Sequence, residues 1–525
     1  MAATDAFDYV IVGAGAAGCV LAARLSEDPH TRVLLLEAGG PDRARELAIP
    51  AAFGRMLKSA CDWAYETEPE PGLDGRRLYW PRGKVLGGSS SLNAMVYIRG
   101  QREDYDGWEK LGNSGWSFTD VLPYFRRAED QARGASTYHG AGGPLGVSDL
   151  RTVNPLSRAF VAAGAELGYP ANPDFNGAEQ GGFGFYQVTQ RRGRRESAAT
   201  AYLRPARRRP NLVVRTGAHA TRIIIERGRA RGVEYAAGGT RHDARATRET
   251  LLCGGTVNSP QLLMLSGIGP AEHLRTLGVA VAADLPGVGE NLQDHLAVPV
   301  AYACREPVTL VNAERIGTLV AYLLFRRGPL TSNVAEAGAF VRTSPESGRP
   351  DLQFHFGPVW FIRHGLGNPP GHGFTFGPTL LHPQSRGRVR LRTTDPFAPP
   401  AIHAGYLTEP ADAAPLIAGI RLSRRLAATR AFARFCGSES LPGLSLTDER
   451  DLRAFVRAHV ETLYHPVGTC RMGVDRGAVV DPHLRVRGIE ALRVVDASVM
   501  PLIPGGNTNA PTIMIAEKAV DLIRY

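Results

Sequence analysis

The stretch ETLYHPVGTCRMG (461–473) sets His465 directly before a proline and beside a Gly-Thr turn. A neutral imidazole, with an ordinary pKa of about 6.5, can take up a proton near neutral pH. Nothing inside the stretch separates that use from a packing role. A second set of residues lies at the start of the chain, where Gly13, Gly15 and Gly18 form a G-x-G-x-x-G run with Ala16 and Ala17 inside it. Such glycines permit a tight turn and close approach of the backbone to a pyrophosphate at a helix N-terminus. Glu37, followed by Ala38, ends the next apolar run, where a carboxylate accepts hydrogen bonds from a ribose.

The elements that must position these residues are legible around them. DYVIV is a β-branched apolar strand, AAGCVLAARLSE carries a helical period, and RVLLLE is a second buried strand. Strand, helix and strand in that order predict a parallel α/β nucleotide-binding core. This pattern alone does not choose between NAD and FAD. The loop PRGKVLGGSSSLNAMVYIRG (81–100) adds glycines, serines and an asparagine, small groups against which a bulky cofactor can lie flat.

Composition narrows the class. The chain has 525 residues, 43% hydrophobic and 21% charged, as in ordinary globular proteins, and is long enough for two to four domains. Six scattered cysteines without a C-x-x-C pair predict no disulfide framework and no metal site, and fit a reducing compartment. No signal peptide is read at the N-terminus, and no run reaches the roughly 18–20 apolar residues of a membrane span. A cytoplasmic location is expected. The net charge of +10 comes from arginine, densest in QRRGRRESAATAYLRPARRRP (190–210). Without interleaved aromatics that segment predicts no nucleic-acid partner. It reads first as a solvated loop and second as a peripheral contact with the inner face of a membrane.

Further along, residues from 211 read as a short β-meander, and ETLLCGG (249–255) as a core strand followed by a helix through SPQLLMLSG. The region 300–460 changes character, with alternating strands such as DLQFHFGP and RGRVRLRT, then helical stretches near 410–435 and 448–461. The expected organisation is an α/β Rossmann-like domain (1–152, 196–298 and 462–525) with an α+β, mostly antiparallel second domain (153–195 and 299–461).

CGGTVNSPQLLMLSGIGP (253–270), LPGVGENLQDH (285–295), VVDASVMP (494–501) and GGNTNAPTIMIAEK (505–518) join the earlier motifs in order. With them, residues 6 to 524 resemble the glucose–methanol–choline (GMC) oxidoreductases. That resemblance implies the GMC fold, FAD as cofactor and a substrate domain roofing the flavin. Gly13, Gly15, Ala16, Ala17, Gly18, Glu37 and Ala38 would hold the ADP half. Gly83, Gly87, Gly88, Ser89, Asn93, Ala94 and Val96 would line the pyrophosphate and flavin. Asp496 and Ala497 would meet the cofactor from the C-terminal strand, with Thr508 to Thr512, including Asn509, Pro511 and Thr512, beside the ring. The position of Leu92, a histidine in choline oxidases that tether FAD covalently, implies non-covalent FAD here.

In the family a histidine in HPVGT faces the flavin, which makes His465 the expected base, with Asn509 as its partner on the alcohol oxygen. Alcohol oxidation needs such a pair, because a hydride leaves carbon while the hydroxyl proton goes elsewhere. The fatty-acid photodecarboxylase branch shares PQSRG and GYLT, but it replaces that histidine and carries cysteine where this chain has His382. A decarboxylase is therefore the weaker alternative, alongside a flavin-binding protein without turnover. Similarity to the choline and medium-chain alkanol dehydrogenases implies a small primary alcohol as substrate. Glu336 could offset the quaternary ammonium of choline or be structural. Val359, Trp360, Phe361 and Phe376 favour an apolar or aromatic alcohol. Oxygen and a quinone or carrier remain equal candidates for the electron acceptor.

Overall fold

The computed structural model describes residues 6–366 and 369–524. The strand Ala6–Val12, the helix Ala16–Leu25 and the strand Val33–Glu37 form the expected βαβ unit. All five residues of Val33–Glu37 are buried, the signature of a parallel strand covered on both faces. The sheet runs Leu212–Thr216, Val33–Glu37, Ala6–Val12, Thr240–Leu252, Arg229–Ala237, His219–Glu226. Its first four strands are parallel and its last two antiparallel. Leu492–Val494 pairs with the C-terminal end of Thr240–Leu252.

The meander is thus shorter than the sequence implied. Leu212–Thr216 leaves it to pair in parallel with Val33–Glu37, because its apolar residues fit the buried edge of the core. The helix Asn509–Arg524 covers the sheet beside Ala16–Leu25 and buries Glu517. That carboxylate receives Arg24, Arg127 and the hydroxyl of Tyr202.

The second sheet runs Cys436–Leu441, Val300–Cys304, Gly373–Leu380, Leu352–Gly357, Ala337–Val341, Gly182–Phe185, antiparallel throughout. Leu296–Ala297, expected in the first unit, pairs with this second sheet through Thr379 and with Glu461–Thr462. The stretch RGRVRLRT contributes only Arg388–Arg390, in a separate two-stranded ribbon with Ala401–His403. Alternation divides the central strands into two faces. Leu352, Phe354, Phe356, Phe374 and Phe376 join the helices Pro155–Glu166 and Ala413–Ala427 in one aromatic-rich core. His355, Gly357, Thr375 and Gly377 face the other way, toward the first sheet.

Candidate active site

A cleft of about 370 Å³ runs between the two sheets. Its inner end is the turn after Ala6–Val12. A Cβ on Gly13 would come within 2.5 Å of the Cys253 carbonyl oxygen, and one on Gly18 within 1.9 Å of the Gly13 oxygen, so neither position admits a side chain. Gly15 caps the helix Ala16–Leu25 with no side-chain acceptor, leaving its first amides to an anion in the cleft. Glu37 accepts hydrogen bonds from the amides of Ala14 and Gly39, each at 2.8 Å. Burial pushes its carboxyl up to about 7. Each oxygen retains capacity for a further donor.

The glycine- and serine-rich loop lies directly on this turn, since a Cβ on Gly88 would meet Gly15 Cα at 2.7 Å. A residue of the arginine-rich segment holds the loop in place. Arg195 is buried and donates to the carbonyls of Leu47 (3.0 Å) and Asn93 (2.5 Å) and to Asn93 Oδ1 (2.8 Å). Burial lowers its pKa to about 9. This arginine is therefore no part of a solvated loop. Asp496, also buried, accepts from the Gly255 and Ser498 amides and the Ser259 hydroxyl, tying the C-terminal strand to the cleft wall.

At the outer end stands His465. The preceding Tyr464 has φ +70°, a left-handed conformation that costs on the order of 1–3 kcal/mol for a bulky residue. Thr462 Oγ1 accepts its amide, Arg82 donates to its carbonyl, and its hydroxyl meets His364 Nδ1 at 2.7 Å. Asp294 accepts the His465 amide at 2.8 Å and the hydroxyls of Tyr406 and Thr462 at 2.5 Å. These contacts aim the His465 ring into the cleft.

Hydrogen bonds then dictate where its proton sits. His295 Nε2 lies 3.0 Å from the Leu381 carbonyl, which can only accept. Burial holds His295 down at about 3, so it is neutral, with its proton on Nε2 and a bare Nδ1. That Nδ1 faces His465 Nδ1 at 3.0 Å, which assigns the His465 proton to Nδ1. His465 Nε2 is left as an acceptor, and Asn507 Nδ2 donates to it at 3.1 Å. Gln353 Nε2, at 3.3 Å from Asn507 Oδ1, fixes that amide's orientation. Burial, aided by the positive charge of Arg82, keeps the His465 pKa well below the ordinary imidazole value. His355, driven down to about 4 by its enclosure, also lines this end, with Nε2 unpartnered.

Of the expected cofactor residues, Gly13, Gly15, Ala16, Ala17, Glu37, Ala38, Gly83, Gly88, Ser89, Asn93, Ala94, Val96, Asp496, Ala497, Asn509 and Thr512 line this one cleft. Three stand behind it. Gly18 packs on Gly13, Gly87 donates its amide to the Ala14 carbonyl, and Pro511 is buried in the C-terminal helix.

The substrate set fares differently. Phe361 lines the cleft, with its ring centroid 6.4 Å from that of Phe53. Phe376 belongs to the opposite face of its strand and packs in the aromatic core. Trp360 is buried against Gly373 and donates to the Gly371 carbonyl, and Val359 lies outside the lining. Glu336 is buried away from the cleft and accepts from the Asn154 amide and the hydroxyls of Ser157 and Ser332. Asn509 begins a helix, and Asn507, two residues earlier, is the amide that reaches His465. Asn507, His295, His355 and Arg195 were not anticipated.

Family models of GMC oxidoreductases match residues 7–297 and 383–516. The chain is a GMC oxidoreductase. It is 48% identical to the alcohol dehydrogenase [acceptor] of Pseudomonas putida, over 98% of this chain and 95% of that one. It is 47% identical to human mitochondrial choline dehydrogenase, over 99% and 90%. A solved structure on the effect of a mutation on FAD modification in the formate oxidase of Aspergillus oryzae is similar at a TM-score of 0.93 and 30% identity, covering 99% of this chain and 98% of that one. FAD is the cofactor of the GMC family. The cleft has open helix amides and a buried carboxylate at one end and a histidine–asparagine pair at the other, groups that fit such a dinucleotide.

Proposed function

We propose that this protein oxidises a primary alcohol to the aldehyde, with His465 as the base and Asn507, rather than Asn509, as the group that holds the alcohol oxygen. The single observation carrying this is the unprotonated Nε2 of His465, facing the cleft and met at 3.1 Å by an oriented amide donor whose place an alcohol hydroxyl would take. FAD, bound without a covalent link, supplies the acceptor for the hydride released from the alcohol carbon. The chain's own part is proton handling. His465 Nε2 takes the hydroxyl proton, giving an imidazolium whose Nδ1–H stays hydrogen-bonded to His295. Asn507 orients the oxygen through an amide that does not titrate.

The cleft favours a neutral, apolar or aromatic alcohol over choline. At its outer end the lining carboxylate is Glu461, which is already engaged by Arg76 at 3.1 Å and by His364 at 3.0 Å. Glu336 is too deeply enclosed to meet a quaternary ammonium.

The test is anaerobic mixing of the yellow holoprotein with choline, a medium-chain alkanol and benzyl alcohol while flavin absorbance is followed. Bleaching by the two apolar alcohols, and a loss of at least ~10²-fold in bleaching rate for His465→Ala with FAD still bound, are expected. Unchanged reduction in that variant overturns the assignment. Admitting air afterwards distinguishes an oxidase, which recovers quickly, from a dehydrogenase with another acceptor.

A further inference from the structure

Among the described residues, thirteen large hydrophobic side chains are exposed, and seven of them fall between Val311 and Phe325. Isolated exposed hydrophobics are ordinary, but a contiguous cluster marks a surface built to be covered. The helix Ile316–Phe325 carries most of it, with Ile316 82%, Leu324 69% and Phe325 66% exposed. Its polarity is inverted for a surface helix. The face toward the protein is anchored by Tyr322, which is buried with Ala313 and Leu330 against Ile49 and Ala51. The Tyr322 hydroxyl reaches the Ala48 carbonyl. Leu319, Val320, Leu323, Leu324 and Phe325 point to solvent. Ten residues span about 15 Å, half of what crossing a bilayer requires.

The rim of this patch is basic. Arg315 precedes the helix, Arg326 and Arg327 end it, and the Arg326 guanidinium lies over the Tyr322 ring at 4.7 Å. The turn of the Gln190–Arg195 hairpin abuts the same end, since a Cβ on Gly193 would meet the Arg326 carbonyl at 2.8 Å. This brings exposed Arg192 and Arg194 to the patch.

We infer that the helix Ile316–Phe325 and the Arg192–Arg194 turn form a docking surface for an anionic phospholipid bilayer, the apolar side chains entering the headgroup–acyl boundary while the arginines meet lipid phosphates. An apolar centre inside a cationic rim is the pattern of a helix lying in the plane of an anionic interface. A second copy of this chain is the poorer occupant. A two-fold contact centred on the helix would bring five arginines of each copy together, in a protein already carrying +10. The surface also adjoins the cleft. Ile49 and Ala51 pack beneath the helix, and Phe53, in the same Pro50–Met56 segment, is part of the cleft wall.

The experiment is co-sedimentation of the holoprotein with vesicles of phosphatidylcholine alone and of phosphatidylcholine mixed with phosphatidylglycerol, at low and high salt. Binding to the mixed vesicles, weakened by salt, is expected. The double variant L324E/F325E should lose at least ~10-fold in vesicle partitioning. R192Q/R194Q should lose about 5-fold per arginine removed. Turnover of a water-soluble alcohol should be unchanged in both, because neither touches the cleft. Failure of the wild-type protein to bind anionic vesicles, or equal binding by the variants, overturns the inference. So does a dimer in sedimentation velocity that L324E/F325E dissolves, which would assign the patch to a second copy.

Discussion

His295 and His465 meet Nδ1 to Nδ1 at 3.0 Å with their rings nearly perpendicular, at 87°. Two neutral imidazoles in this arrangement can share only one proton. The Leu381 carbonyl decides which ring supplies it. On the proposed function, His295 is a positioning residue that acts on the reaction through His465.

Replacing His295 by phenylalanine removes the acceptor and lets the His465 proton migrate to Nε2, so that the nitrogen facing the cleft can no longer take another. Stopped-flow reduction should slow by about 10-fold, the rate equivalent of one hydrogen bond of about 1.4 kcal/mol. His295→Gln, which restores an acceptor oxygen, should recover part of it, whereas a loss caused only by packing would not be relieved. The pH profile gives an independent readout. With His465 as the proposed base its neutral form is the active one, and its pKa is depressed, so kcat/KM should hold as pH falls through 6.5 and decline only below it. In His295→Phe the neutral acceptor that steadies the imidazolium's Nδ1–H is gone, so the acid limb should move further down.

Asn507 and Asn509 separate cleanly by mutation. Asn507→Ala removes the donor at His465 Nε2 and should lower kcat by at least ~10-fold, with FAD retained. Asn509→Ala, at the start of the C-terminal helix, should leave the reductive rate little changed. Equal losses would mean that Asn507 has no special part in the chemistry.

Glu336 tests the substrate reading from another side. Its carboxylate satisfies one amide and two hydroxyls in a buried pocket. Glu336→Ala should cost on the order of 2–4 kcal/mol of stability, read as a lower thermal midpoint. The ratio of kcat/KM for choline to that for benzyl alcohol should not move. A selective loss on choline would return Glu336 to the substrate pocket.

The dinucleotide end of the cleft was legible because its signal is local. Gly13 to Gly18 and Glu37 occupy one βαβ unit, where spacing along the chain is spacing in the fold. The end that holds His465 was only half legible. GGNTN carries two asparagines in a loop without periodicity, so the sequence does not say which one turns toward His465. His295 lay inside the LPGVGENLQDH motif, but its meaning depends on a contact across 170 positions. His355 had a usable signal, as Gln353 and His355 alternate with Leu352, Phe354 and Phe356, and two polar residues on one face of a central strand mark a functional surface. The same parity excluded Phe376, which shares a face with Phe374, not with Thr375. The arginine density at 190–210 concealed two unlike roles, since Arg195 is a buried clamp while its neighbours at 192 and 194 stay exposed.

The strand Leu492–Val494 and the helix Asn509–Arg524 complete a sheet begun by residues 6–37. A ribosome must therefore deliver everything between residues 37 and 492 before the nucleotide-binding half can close. Throughout that interval the apolar strands Ala6–Val12 and Val33–Glu37 wait without their final covering helix, a state prone to aggregation in long chains. Cellular yield of this protein should consequently depend on whatever shelters these two strands, and loss of Asn509–Arg524 should leave their sheet unable to finish folding.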